Sequence, residues 1–155
     1  MLKVSSAIQV DYGCNCRVKA ECPMDGKCQT PAVVYQATVS AEGSEKKYVG
    51  LTEPPFKKRY YSHKASFNKK PDIDSGTALA HHIWNLKERG VTFDVKWEIH
   101  DRSSPYKCGS RVCHLCITEK WRILKADPEI ALNKRSELVA KCRHARKFKL
   151  ATGVT

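Results

Sequence analysis

Arg59 and His63 stand four residues apart in "FKKRYYSHKASF", and on a helix that spacing puts both on one face. A guanidinium is a rigid, planar donor that can hold a phosphodiester oxygen and stabilise the extra charge of a pentacovalent transition state. Hydrolysing a phosphodiester also needs a base for water and a cation for the departing oxygen. The sequence offers Tyr35 and Tyr48 in two strand-like stretches, His63 beside Arg59, and Glu119 as a lone carboxylate on a helix with an apolar pattern. Each has a plainer reading: packed strand tyrosines, a helix-surface histidine, a solvated glutamate.

The cysteines suggest a second kind of chemistry. Cys14, Cys16, Cys22 and Cys28 form C-x-C-x5-C-x5-C in a segment that carries Pro23 and Gly26 and no apolar periodicity. Four thiolates suit tetrahedral zinc, and cysteines only two apart are badly placed for a relaxed disulfide. A structural zinc site is therefore expected there. Cys113 and Cys116 are a common zinc half-site, and Cys142 with His144 supplies two further ligands of the right kind. Cys108 is then spare and His114 points elsewhere, although either could replace a ligand.

Lysine plus arginine outnumber aspartate plus glutamate by 28 to 16, giving a formal charge of +12. Such an excess favours a polyanionic partner, nucleic acid first. The basic residues cluster in two runs. Lys57, Lys58, Arg59, Lys64, Lys69 and Lys70 form one, without an acidic residue among them. Lys134, Arg135, Lys141, Arg143, Arg146, Lys147 and Lys149 form the other, against only Glu137. Two runs that bracket a candidate site favour a groove that tracks phosphates. No stretch reads as a signal-peptide core or a membrane span, so a cytosolic or nuclear protein is expected, not a secreted or membrane one. In a reducing compartment the cysteines are better used on metal than in disulfides.

The elements that must position these residues follow from patterning. A strand is expected over 32–40, a turn at "GSE", and a returning strand over 46–52. Thr52 is expected to cap a helix with Pro54 and Pro55 in its first turn, ending near Phe67 and carrying Phe56, Tyr60 and Phe67 on one stripe. After a loop over 69–76, a second helix over 77–89 presents Leu79, Ile83 and Leu86 and stops at Gly90. Strict alternation over 91–100 predicts a half-buried strand with Val91, Phe93, Val95, Trp97 and Ile99 on one face. A third helix begins near Cys113, packs Ile117, Trp121 and Leu124 inward with Glu119 on roughly the opposite side, and ends at Asp127-Pro128. A turn around Asn133 leads into a short basic helix or tail.

Taken in order, "VVY" (33–35), "YVG" (48–50), "FKKRYYSH" (56–63), the glutamate of "LCITEKW" and the asparagine of "LNK" resemble the signature series of the GIY-YIG nucleases. The series departs at its first residue, where Val33 stands for glycine. Within that superfamily the chain is most similar to the endonuclease domain of Penelope-like retroelements, through "CNCRVKAECPMDGKC", "YVGLTEPPFKKRYYSHKASF", "CHLCITEKWRIL" and "LNKRSELVAKCRH". The resemblance covers roughly residues 14–148. It implies an α+β fold, a small antiparallel sheet flanked by helices, with a zinc-stabilised N-terminal segment (1–31), a nuclease core (32–135) and a basic C-terminal segment (136–155) that adds zinc ligands.

The resemblance also implies roles. Glu119 would hold one Mg2+ or Mn2+, Arg59 would grip a nonbridging oxygen, Tyr35 or Tyr48 would activate water with His63 nearby, and Asn133 would brace the site. The implied partners are DNA and, in a full-length element, a reverse transcriptase domain. The implied activity is nicking of target DNA, in the nucleus. Two rivals remain open: a non-catalytic, zinc-stabilised nucleic-acid-binding module, and a secreted disulfide scaffold.

Overall fold

The computed structural model describes residues 12–103, 113–134 and 138. The elements are β1 (Val33–Ala41), β2 (Ser44–Thr52), α1 (Phe56–Phe67), α2 (Ala78–Glu88), β3 (Phe93–Arg102) and α3 (His114–Lys125), after a 3-10 turn at Lys19–Glu21. The described residues have an α+β fold, with three α-helices and one three-stranded antiparallel sheet in the order β2-β1-β3. Among the described residues no helix is long and apolar enough to cross a membrane.

β1 lies in the middle and is covered on both faces, which is why its sequence alternates only in part. Val33, Tyr35, Ala37 and Val39 face the layer of α1 and α2, with Tyr48, Phe56, Leu79, Ile83 and Leu86. Val34 faces the other way, with Val49, Cys113 and Leu115. The hairpin turns at Glu42 and Gly43, whose φ values of 53° and 73° match the twist of the flanking strands. The turn therefore begins one residue before the expected "GSE" and shares only Gly43 with it, since Ser44 and Glu45 already belong to β2.

α2 follows its expected pattern. Thr77 accepts the Ala80 amide at 3.1 Å, and the helix closes with Gly90 N–H on Lys87 O and Val91 N–H on Leu86 O, both 3.0 Å. Gly90, at φ 68°, takes the left-handed position that this paired ending requires.

α1 departs from expectation at its start. Thr52 does not cap it; its hydroxyl donates to Pro54 O at 3.1 Å, and both prolines lie before the helix. The first amides of α1 are used from outside: Phe56 N–H donates to Thr30 O at 3.0 Å and Lys57 N–H to Cys28 O at 2.8 Å. The cysteine segment therefore occupies the end of the helix that a side-chain cap would have served.

β3 alternates as expected but extends to Arg102, with a bulge that sets Tyr35 opposite Ile99 and Val34 opposite Asp101. The inward face of α3 is the reverse of the expected one. Ile117, Trp121 and Leu124 are exposed, whereas Leu115 is buried, Ile123 packs beside it, and Glu119 lies between them on the same stripe. The orientation is fixed by Arg122, which donates to both carboxylate oxygens of Asp101 on β3, Nε at 2.6 Å and Nη2 at 3.1 Å. That fork is made only with α3 turned this way.

Replacing Leu115 by alanine is expected to lower the unfolding free energy by about 2–5 kcal/mol. Leu124→Ala, at a side chain 68% exposed, is expected to change it by no more than about 0.5 kcal/mol. Urea denaturation measures both, and a larger loss at Leu124 would reverse the face assigned to α3.

Candidate functional site

The strand register brings the chemistry together. Tyr35 pairs with Gly50 and Ala37 with Tyr48, so the two tyrosines lie on one face of the sheet, on neighbouring strands. The ring of Tyr35 runs across Gly50, where a Cβ would stand 2.5 Å from the hydroxyl oxygen. Any other residue at position 50 would displace that ring. The glycine is required by this close approach and not by a turn.

The Tyr35 hydroxyl thus reaches α1. It lies 2.6 Å from His63 Nε2 and accepts from Arg59 Nε at 3.2 Å. Burial, and then the charge of Arg59, pull the His63 imidazole down to about 3, so it is neutral and its Nε2 accepts the phenol proton. Burial pushes the Tyr35 phenol up to about 12, against the pull of Arg59, and the charge of Glu119 adds to the rise. Tyr35 therefore stays protonated and donates to His63. Tyr48 hydrogen-bonds Arg59 as well, and its ring meets the His63 ring edge-on at 5.9 Å. Trp97 packs against His63 and Phe56, closing the back of the site.

Of the expected catalytic set, Tyr35, Tyr48, Arg59 and His63 converge, and Glu119 is near enough for its charge to act on Tyr35. Asn133 has a backbone task. Its side-chain oxygen accepts Val49 N–H and its side-chain amide donates to Val49 O, both 2.8 Å, so it pairs with the edge of β2 as a strand residue would. Lys47 exchanges bonds with Ile130 and Leu132 just before it, which covers that edge next to Tyr48.

The four N-terminal cysteines form a cluster whose sulfurs all lie within 4.8 Å of one another. Cys16 Sγ and Cys28 Sγ are 3.8 Å apart, too far for a disulfide and equal to the edge of a tetrahedron with Zn–S bonds of about 2.3 Å. Burial works against ionisation of Cys22, but the Met24 and Gly26 amides overcome it and hold the thiol down at about 6. Cys28 is pushed up to about 12, by burial and then by its cysteine neighbours. Four sulfurs this close ionise together only around a cation, so the donor set fits zinc. It is the one such group among the described residues.

The second expected zinc set is described only in part. Cys113 is buried at the start of α3 and Cys116 is half-buried beside it, while His114 is exposed. Cys108, Cys142 and His144 lie outside the described residues, as do Arg135, Arg143, Arg146 and Lys147. Of the first basic run, Lys57 turns to the cysteine cluster, its ammonium 2.5 Å from Asn15 Oδ1. Lys64 sits over the Tyr60 ring and Lys70 pairs with Glu88 at 2.7 Å. Lys58, Lys69 and Lys134 are exposed. The sequence places Trp97 on the apolar face of an alternating strand and Gly50 in "YVG" without showing that either belongs to the site, and it gives no sign of the roles of the Cys28 and Thr30 carbonyls.

Cys28→Ser is expected to lower bound zinc by one equivalent, measured by metal analysis of the purified chain, and to reduce stability through the loss of the outer partners of α1. Unchanged zinc content would exclude the cluster as a zinc site. No family model matches the chain, and no curated protein or solved structure matches it either.

Proposed function

We propose that this chain is a metal-dependent DNA endonuclease of the GIY-YIG type that nicks one strand, as the endonuclease domain of a Penelope-like retroelement would for target-primed reverse transcription. The observation that carries the reading is the convergence of Tyr35, Tyr48, Arg59 and His63, from two strands and a helix, with the carboxylate of Glu119 close by. In this reading Arg59 holds a nonbridging phosphate oxygen and stabilises the charge that builds there. Tyr48, itself largely buried at 6% exposure, is the tyrosine assigned to the attacking water, since Tyr35 has no exposed surface and its hydroxyl is held protonated against His63. Tyr35 and His63 then serve as positioning residues that fix Arg59.

Glu119 is a single half-buried carboxylate, a donor suited to a hard cation such as Mg2+ or Mn2+. When bound, that cation would supply Lewis acidity for the departing oxygen. Lys58, Lys69, Lys134 and the basic C-terminal residues would follow the phosphate backbone, with Cys113, Cys116, Cys142 and His144 holding a second structural zinc. The expected place of action is the nucleus, with a reverse transcriptase domain as partner.

A second reading is supported by the burial of the same residues. Tyr35 and His63 are nearly inaccessible and fully hydrogen-bonded, as in a packed network inside a non-catalytic nucleic-acid-binding module. Nicking of supercoiled plasmid separates the two. Wild type is expected to relax the plasmid only with Mg2+ or Mn2+. Arg59→Ala and Glu119→Gln are each expected to slow relaxation by about 100-fold or more with zinc content unchanged. Tyr48→Phe is expected to slow the reaction, and Tyr35→Phe to lower stability first. Binding without cleavage under every metal would favour the second reading.

A further inference from the structure

A second concave surface lies on the other side of α1 from Arg59. The cysteine segment and α1 enclose a groove of about 750 Å³, lined among others by Arg17, Lys57, Tyr60, Tyr61 and Lys64, with Glu21 as its acidic residue. On α1 these residues follow a spacing of three and four, so they form one stripe, turned away from the stripe that carries Arg59 and His63. Tyr61 is 57% exposed and stands at the wall of the groove, so its ring is open to a ligand there. The Tyr60 and Tyr61 rings are 5.7 Å apart, and each has a cation over it, Lys64 over Tyr60 at 5.5 Å and Lys57 over Tyr61 at 5.8 Å.

We propose that this groove binds an unpaired single strand of nucleic acid, with a base stacked on Tyr61 and neighbouring phosphates met by Lys64 and Arg17. Paired rings with flanking cations are what a single strand requires, because each unpaired base presents a π face and each phosphate a charge. A duplex hides its base faces within the stack and gains nothing from Tyr61. The volume accommodates one or two nucleotides and not a helix of paired strands. Cys16 also lines the groove, so the cysteine cluster shapes the site as well as holding α1. For a nuclease that nicks one strand, such a groove would retain the strand that leaves the duplex. The inference rests on the nucleic-acid partner of the proposed function but not on its chemistry.

The test is fluorescence anisotropy of a labelled oligothymidylate of about 10 nucleotides, with the full zinc-loaded chain and no added Mg2+. Tyr61→Ala is expected to weaken binding by about tenfold or more and Tyr61→Phe to leave it near wild type. Affinity for a duplex of the same length is expected to be the same in all three. Unchanged single-strand affinity in Tyr61→Ala overturns the proposal, as does equal competition by an acidic peptide. Plasmid nicking is read on the same preparations. If wild type does not nick yet its single-strand binding depends on Tyr61, the groove stands and the nuclease reading falls. If wild type nicks and Tyr61→Ala binds as wild type, the groove alone falls.

Discussion

The Tyr35 hydroxyl is the point on which the candidate site depends. It accepts from Arg59 and lies against His63 Nε2, so one oxygen ties the central strand to two positions on α1. The tie exists only because Gly50, on the neighbouring strand, leaves room for the ring to cross. Once it is made, the guanidinium is held by oxygens on both β1 and β2, and its direction is set by the sheet instead of by a flexible stem. Binding groups fixed in this way lose little freedom when they meet a ligand, which is the physical case for a site and not a merely basic surface.

The cysteine cluster acts on the same helix from its other end. α1 has no side-chain cap, and the carbonyls of Thr30 and Cys28 receive its first two amides. The loop that supplies them has little apolar surface of its own, so its shape depends on what its sulfurs hold. A metal at the cluster and the geometry at Arg59 are thus coupled through backbone hydrogen bonds. The strand edge beside Tyr48 is treated similarly: Asn133 and the segment before it cover β2, which keeps the second tyrosine in register.

Much of this was legible in the sequence where a local pattern decides the outcome. Leu79, Ile83, Leu86 and Gly90 specify α2 and its ending without reference to anything else, and the spacing of the four N-terminal cysteines specifies their cluster. The shared face of Arg59 and His63 follows from helical geometry alone. What was not legible depends on partners distant in the chain. α3 has two stripes able to face the sheet, and the choice is made by Arg122 reaching Asp101 on β3, a contact across 21 residues. Thr52 is a good capping residue by type, but the carbonyls of Cys28 and Thr30 had already taken the amides that it would have served. Gly50 stands in "YVG", but the physical reason for a glycine there is visible only when the register sets it opposite Tyr35.

The most direct test of the account is a pH titration of the His63 ring followed by nuclear magnetic resonance. An unfolded or exposed histidine titrates at about 6.5, whereas the folded ring is held down to about 3 by burial and by Arg59. Its contribution to stability is therefore full above the unfolded value and is lost as pH falls below it, because the unfolded chain takes up the proton first. The His63 ring signals are expected to stay at their neutral positions as the pH is lowered through 6.5 while the fold persists, with Nε2 unprotonated as the acceptor of the Tyr35 hydroxyl. A midpoint near 6.5 in the folded protein would contradict it, since the imidazole would then be exchanging its proton with water instead of holding that of Tyr35.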